Sequence, residues 1–255
     1  MSSAIAALTG SVLGREHARL GRNNQDAVAV GRDGEWLAAV VTDGCSSAPA
    51  SEVGARLGAA FLAAHVPAIA QREVSPEAVA REASAALLAY LGTIARGLAV
   101  REPAASVVHD HLLFTFLCAV VGPSRGFVFG AGDGVFSIDG RVTVLDSGPE
   151  NAPAYIAYGL LAGVAPRTSP TRVHAALDTA ALRSLVIATD GVVDLLARAT
   201  DPLASGEAQG DLRPFEERDA FVKNPSLVQK RLVVIGELNA RLRDDTTLAV
   251  LRRAS

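Results

Sequence analysis

Three times in this sequence an apolar run ends in an Asp-Gly pair: Val40-Val41-Thr42-Asp43-Gly44, Gly130-Ala131-Gly132-Asp133-Gly134 and Ile187-Ala188-Thr189-Asp190-Gly191. A fourth acidic step, Asp244-Asp245, directly precedes the run Thr246 to Val250, and a fifth, Asp26, begins a strand near the N-terminus. Each apolar run reads as a strand, so the chain has to pack sheets whose strand ends carry carboxylates. Carboxylates that converge on one edge repel unless they are protonated or neutralised by cations. Hard divalent ions meet that need. Mg²⁺ and Mn²⁺ prefer octahedral oxygen ligands, and a glycine after the aspartate lets backbone approach an ion closely. Asp43 with the carbonyl of Gly44 is the best such pair. Asp-Gly is also a hairpin signal, and Asp133-Gly134 taken alone reads as a turn. The set as a whole points to a metal site.

The remaining periodicity fills in the architecture. Trp36 to Thr42, Leu112 to Val121, Gly126 to Ala131, Arg141 to Leu145, Ser184 to Thr189 and Thr246 to Arg252 are strand candidates. Ser51 to Val66 and Pro76 to Leu98 place apolar residues on one helical face. Ser75-Pro76-Glu77 supplies a capping hydroxyl, a proline where its missing donor costs nothing and an acid in the first turn. A helical patch, Val192 to Ala197, follows Asp190. Strands, two successive helices and a long run of strands argue for α+β layering and against a doubly wound nucleotide fold. No repeat or low-complexity linker divides the chain. One domain over residues 1–255 is expected. Asp201 to Asp219, rich in Pro, Gly, Ser and charge, reads as an exposed loop, and the stretch 201–230 as a lid inserted in that domain.

Composition removes several function classes. With 27 acidic and 24 basic residues among 255, the net charge is −3, without the basic excess of a nucleic-acid binder. The uncharged runs Leu112 to Ser124 and Asn151 to Pro166 fall short of the roughly 20 apolar residues of a membrane span. The N-terminal stretch has no positive charge before Arg15, which fails the pattern of a secretory signal. Cys45 and Cys118 form neither a disulfide framework nor a zinc motif. A cytoplasmic protein with no membrane or nucleic-acid partner is expected. Gly130 to Gly134 lacks the Gly-Lys-Ser/Thr of a phosphate-binding loop.

Taken in order, Asn24-Gln25-Asp26-Ala27, Val41-Thr42-Asp43-Gly44, Gly132-Asp133-Gly134, Ala188-Thr189-Asp190-Gly191 and Asp244-Asp245-Thr246-Thr247 resemble the landmarks of a known family. It is the metal-dependent Ser/Thr protein phosphatases of the protein phosphatase 2C type, and more closely their divergent bacterial branch. The resemblance covers most of the chain. It implies a four-layer αββα sandwich, two antiparallel sheets flanked by helices, with a dinuclear Mn²⁺ or Mg²⁺ site at one end. By it, Asp43 is the bridging ligand, Gly44 a carbonyl ligand, and Asp190 and Asp244 are carboxylates on one ion. Asp133 corresponds to a ligand of a third, weaker ion and Asp26 to a carboxylate near the water shell. Two ions roughly 4 Å apart lower the pKa of a shared water and neutralise phosphoryl oxygens during in-line attack. No cysteine nucleophile is needed. The implied partner is a phosphorylated protein, the product of a Ser/Thr kinase in a signalling system, acted on by a monomer.

Three positions depart from the family pattern. Gln25 stands where the family has Glu, removing one negative charge. Cys45-Ser46-Ser47 follows the bridging Asp-Gly, where eukaryotic members carry a His that protonates the leaving group; His17 is the candidate to act in its stead. Gly21 occupies the place of the phosphate-gripping Arg, leaving Arg19 and Arg22 as candidates for bidentate phosphate contact. His109 and His111 look like a metal element on a strand, but without a third ligand at suitable spacing they read as a surface or loop pair. These departures leave two other readings open: a degenerate module that binds phosphoproteins without turnover, and a hydrolase of small phosphate esters.

Overall fold

A computed structural model gives the structure of the protein. It describes the chain except residues 1–4, 101, 147, 149–152, 162–169, 202–210, 240–241 and 254–255, with backbone alone at 237–239. Ten described strands form two antiparallel five-stranded sheets. The first runs β1 (Ile5–Val12), β10 (Thr246–Arg253), β9 (Ser184–Ala188), β6 (Gly134–Ile138), β7 (Arg141–Leu145). The second runs β2 (Ala27–Asp33), β3 (Trp36–Gly44), β4 (Phe114–Val121), β5 (Arg125–Ala131), β8 (Arg172–Asp178).

The sheets stack face to face, and alternation along each strand divides its residues between two cores. Leu37, Ala39 and Val41 of β3 and Leu117 and Ala119 of β4 meet Leu185, Ile187, Ala249 and Leu251 between the sheets. Their neighbours Ala38, Val40, Phe116, Cys118 and Val120 face outward into helices. Both faces of β3 and β4 are therefore buried, which is why these strands read as unbroken apolar runs. The helices α2 (Glu52–Arg72), α3 (Pro76–Leu98) and α4 (Ala104–His111) cover the second sheet. On the other side α5 (Val192–Ala197), α6 (Arg213–Glu217), α7 (Asp219–Lys223) and α8 (Ser226–Asn239) cover the first. A one-turn helix, α1 (Arg15–Arg19), follows β1. The result is the αββα sandwich that the resemblance implies.

Ser75 caps α3 as its sequence predicts, its hydroxyl accepting from the Ala78 N–H at 3.1 Å. The first long helix runs further than the Ser51 to Val66 reading. It continues through Pro67 to Arg72. Proline removes the donor that would bond the carbonyl four residues back, that of Ala63. That carbonyl stands against Gly31 of β2, where a Cβ would lie only 1.8 Å from its oxygen. Glycine in β2 thus makes room for the packing of a proline-containing helix. This helix is the one described segment long and apolar enough to cross a membrane, and it is spent on the core against β2 and β3.

Two local readings are corrected. His109 and His111 lie in the last turn of α4 and not in a strand or loop, and β4 begins only at Phe114. The Asp201 to Asp219 stretch is not an exposed loop throughout. From Leu212 onward it forms α6 and α7, with Leu212, Phe215 and Phe221 buried over the first sheet. Its apolar residues are few, which hid them among polar neighbours. The middle of the expected lid, 202–210, lies outside the described residues.

Candidate metal centre

Antiparallel pairing brings the acidic strand ends together. Ala188 of β9 pairs with both Leu248 of β10 and Val135 of β6, so Asp190, Asp244 and Asp133 emerge at one edge of the first sheet. In the second sheet Asp43 pairs with Thr115 at the start of β4, and Ala131 at the end of β5 pairs with Phe116. Asp133 therefore sits where the chain crosses from one sheet to the other, and not in a hairpin. Asp43, Asp133, Asp190 and Asp244 line a single cavity of about 100 Å³, with Gly44 and Thr115 beside them.

The electrostatics of this cavity are those of crowded carboxylates. Burial pushes the Asp43 carboxyl well above the usual range, and Asp26, Asp190, Asp244 and Asp133 push it further. Asp190 is raised to about 6 by burial and by the charges of Asp133 and Asp244, and it shares a hydrogen bond with Asp43. Asp133 is raised chiefly by burial. Among the described residues no lysine or arginine forms an ion pair with Asp43, Asp133 or Asp190. Behind the cavity, Asp26 is buried and held by the Thr189 hydroxyl at 2.7 Å, while its other oxygen, Oδ1, has no hydrogen-bond partner among the described residues. Burial raises Asp26 as well. An all-oxygen donor set with surplus negative charge fits hard divalent cations.

Asp245, to which the resemblance gives no role, organises the surroundings. One carboxylate oxygen accepts from the Gly14 N–H at 2.7 Å; the other accepts from His17 Nδ1 at 2.8 Å and from the Gln25 N–H at 2.7 Å. His17, Asp244 and Asp245 have ligand atoms within 4.8 Å of one another. Both Asp245 oxygens are occupied by protein donors, however, and only Asp244 of the pair faces the cavity. Gly191 permits the approach of this loop to the end of β9, since a Cβ there would lie 1.9 Å from the Asp245 carbonyl oxygen. The glycine after Asp190 thus serves backbone packing between the two acidic loops.

The other candidates separate. Arg22 donates to the carbonyl of Ser46 and lines a groove that also contains Asp190 and Asp244. Arg19 is exposed on α1 and lines neither that groove nor the metal cavity. His17 is buried on the groove wall, fixed by Asp245. Gln25 is buried, its amide donating to the Ala48 carbonyl at 3.2 Å and its Oε1 without a partner among the described residues. Cys45 is half-buried on the cavity lip, 3.1 Å from the Ser47 hydroxyl, with Tyr155 close by. Thr115 and Tyr155 reach the cavity although no local sequence signal marks them.

The sequence model of the protein phosphatase 2C family matches residues 13–228, a span holding four of the five acidic landmarks. The chain belongs to the protein phosphatase 2C family. Members of the family are metal-dependent and act on phosphoproteins. Solved structures agree on the fold. A bacterial serine phosphatase superposes with a TM-score of 0.62 at 12% identity, covering 98% of both chains. The serine/threonine phosphatase Stp1 from Staphylococcus aureus gives 0.59 at 14%, covering 99% of this chain and 96% of its own. PppA of Pseudomonas aeruginosa, a regulatory component of its type VI secretion system, gives 0.56 at 16%, covering 98% of each. A comparison with curated proteins finds no match. Within this protein phosphatase 2C fold, Val12 at the end of β1 pairs with Thr246 at the start of β10, so β1 ends beside the acidic loop that precedes β10. The family match ends at residue 228, before Asp244, so that ligand candidate rests on the likeness of its own short motif and on its place at the cavity.

Proposed function

We propose that this phosphatase 2C member hydrolyses phosphoserine and phosphothreonine in proteins, using two bound Mn²⁺ or Mg²⁺ ions and a weaker third. The supporting observation is the convergence of Asp43, Asp133, Asp190 and Asp244 from both sheets on one small cavity, where among the described residues no lysine or arginine forms an ion pair with any of the four and His17 stands 4.0 Å from Asp244. Asp43 and the Gly44 carbonyl would hold both principal ions. Asp190 and Asp244 would complete one of them, and Asp133 would hold the third. Bound cations supply the charge that neutralises phosphoryl oxygens and makes water a nucleophile near neutral pH.

The protein's own groups do the rest. Arg22, on the groove beside Ser46, grips the phosphoryl oxygens in place of the family Arg; exposed Arg19 lines neither the groove nor the cavity. His17, oriented by Asp245, holds a proton beside Asp244 for the leaving oxygen. Asp26 acts from behind through its unpartnered oxygen, and neutral Gln25 lowers the charge next to it. The substrate is the product of a Ser/Thr kinase. Both cysteines are free thiols, in keeping with a reducing cytoplasm.

The test is phosphate release from a phosphothreonine peptide with Mn²⁺, with Mg²⁺ and with EDTA. Release should require the metal, and Asp43→Asn and Asp190→Asn should each lower kcat at least about 100-fold. Unchanged release in either variant, or release that survives EDTA, would refute the site. Calorimetry distinguishes a module that binds without turnover: it would take up phosphopeptide without metal and release no phosphate.

A further inference from the structure

A second and larger cavity, about 550 Å³, adjoins the metal cavity and shares Ser46, Asp190 and Asp244 with it. Its composition differs. Leu20, at the end of α1, is 68% exposed, and Val193, in the first turn of α5, is 41% exposed; both line it. Isolated aliphatic side chains on a surface need no explanation, but two on the wall of a groove that opens onto a reaction centre are placed where ligand contact would cover them. The charged groups of the same wall are mutually engaged. Arg243 lies 3.6 Å from Glu16, and its backbone N–H is accepted by Asp194 at 2.9 Å. Arg22 points to the Ser46 carbonyl. Apart from Asp190 and Asp244, which belong to the acidic cavity, Glu16 and Asp194 stand against Arg22 and Arg243, so the rest of the groove offers neither a basic nor an acidic docking strip.

We infer that this groove selects phosphoprotein substrates by an apolar side chain close to the phosphorylated residue, seated on Leu20 and Val193. The inference rests on the phosphatase reading and adds its substrate class: a phosphopeptide with an aliphatic or aromatic flank, as opposed to an acidic or basic one. Leu20 and Val193 are specificity residues that touch no phosphoryl oxygen. Both are exposed, so replacing them costs little folding stability.

The test compares three substrates with Mn²⁺: p-nitrophenyl phosphate and two phosphothreonine peptides that differ only in having leucine or serine beside the phosphothreonine. Wild-type protein should prefer the leucine peptide in KM. Leu20→Ser and Val193→Ser should each raise KM for that peptide about fivefold, with kcat held, and leave p-nitrophenyl phosphate within twofold. Val193→Leu should retain the preference. Equal loss on all three substrates, or an unchanged ranking of the two peptides in Leu20→Ser and Val193→Ser, would overturn the inference while leaving the phosphatase reading intact. If wild-type protein releases no phosphate from any of them, the phosphatase reading fails. Fluorescence anisotropy with the same two peptides then decides the groove separately: tighter binding of the leucine peptide that the two serine variants abolish upholds it, and flank-independent binding overturns it.

Discussion

Asp244 and Asp245 are neighbours in sequence and opposites in environment. The Asp244 side chain is 51% exposed at the rim of the metal cavity; that of Asp245 is 1% exposed and accepts three protein donors. Their variants should separate accordingly. Asp245→Ala strands Gly14, His17 and Gln25 donors in the interior and should lower stability in urea by about 3–5 kcal/mol. Asp244→Asn should leave metal-free stability within about 0.5 kcal/mol, yet weaken Mn²⁺ binding by calorimetry. Protonation offers a second test at this scale. The Asp190 carboxyl, raised to about 6, and that of Asp43, also held well above the ordinary range by burial, bind protons more readily folded than unfolded. The Asp190 contribution to metal-free stability is present at low pH and lost as pH rises through about 6, and that of Asp43 has the same sign. The metal-free Tm should therefore fall between pH 5 and pH 7 by this contribution, and Asp190→Asn should flatten the fall, as read by scanning fluorimetry. A fall of the same size in Asp190→Asn would refute the assignment.

Between residue and fold, the site depends on how elements abut. The β9–α5 turn and the loop before β10 touch through Gly191 and the Asp245 carbonyl, so Gly191→Ala must push them apart. This variant should cost about 2–3 kcal/mol and lower Mn²⁺ affinity together with stability, whereas Asp244→Asn lowers affinity alone; denaturation and calorimetry on both variants check it. The same contrast explains which elements can be seen in the sequence. Strands buried on both faces, such as β3 and β4, announce themselves as apolar runs. The edge strands β1 and β8 are half-exposed, with no sustained pattern, and β6 begins directly on the Asp133-Gly134 that resembles a turn. A helix with proline inside it, like α2, reads as ended at that proline until the packing that accepts it is known. The short helices α6 and α7 bury only a few residues each and hide among charges for the same reason.

At the scale of the molecule, the carboxylates of one cavity belong to both sheets. A cation bound there ties β3 to the ends of β9 and β10, so binding should stabilise the fold as a whole. Mn²⁺ at about 100 times its Kd should add about 2.7 kcal/mol, raising Tm in a concentration-dependent way that EDTA reverses. This rise should be largest above pH 6, where metal-free repulsion among the carboxylates is greatest, and absent in Asp43→Asn. The inter-sheet core that holds the two lips in register lies directly behind, around Leu117 and Ile187.

The sequence by itself determined which residues could hold a metal and in what order they come. Asp-Gly at the end of a buried strand is a local pattern, and five acidic landmarks in order are visible without coordinates. It determined the α+β class as well, because burial on one or both faces leaves a period in the chain. Only the tertiary structure decided the division of labour. Asp245 faces the interior and fixes His17, Arg22 lies on the groove and Arg19 in solvent, and Leu20 and Val193 line the same groove from distant parts of the chain. Those distinctions depend on contacts between segments up to 231 residues apart, as from Gly14 to Asp245, and no local pattern encodes the direction in which such contacts turn a side chain.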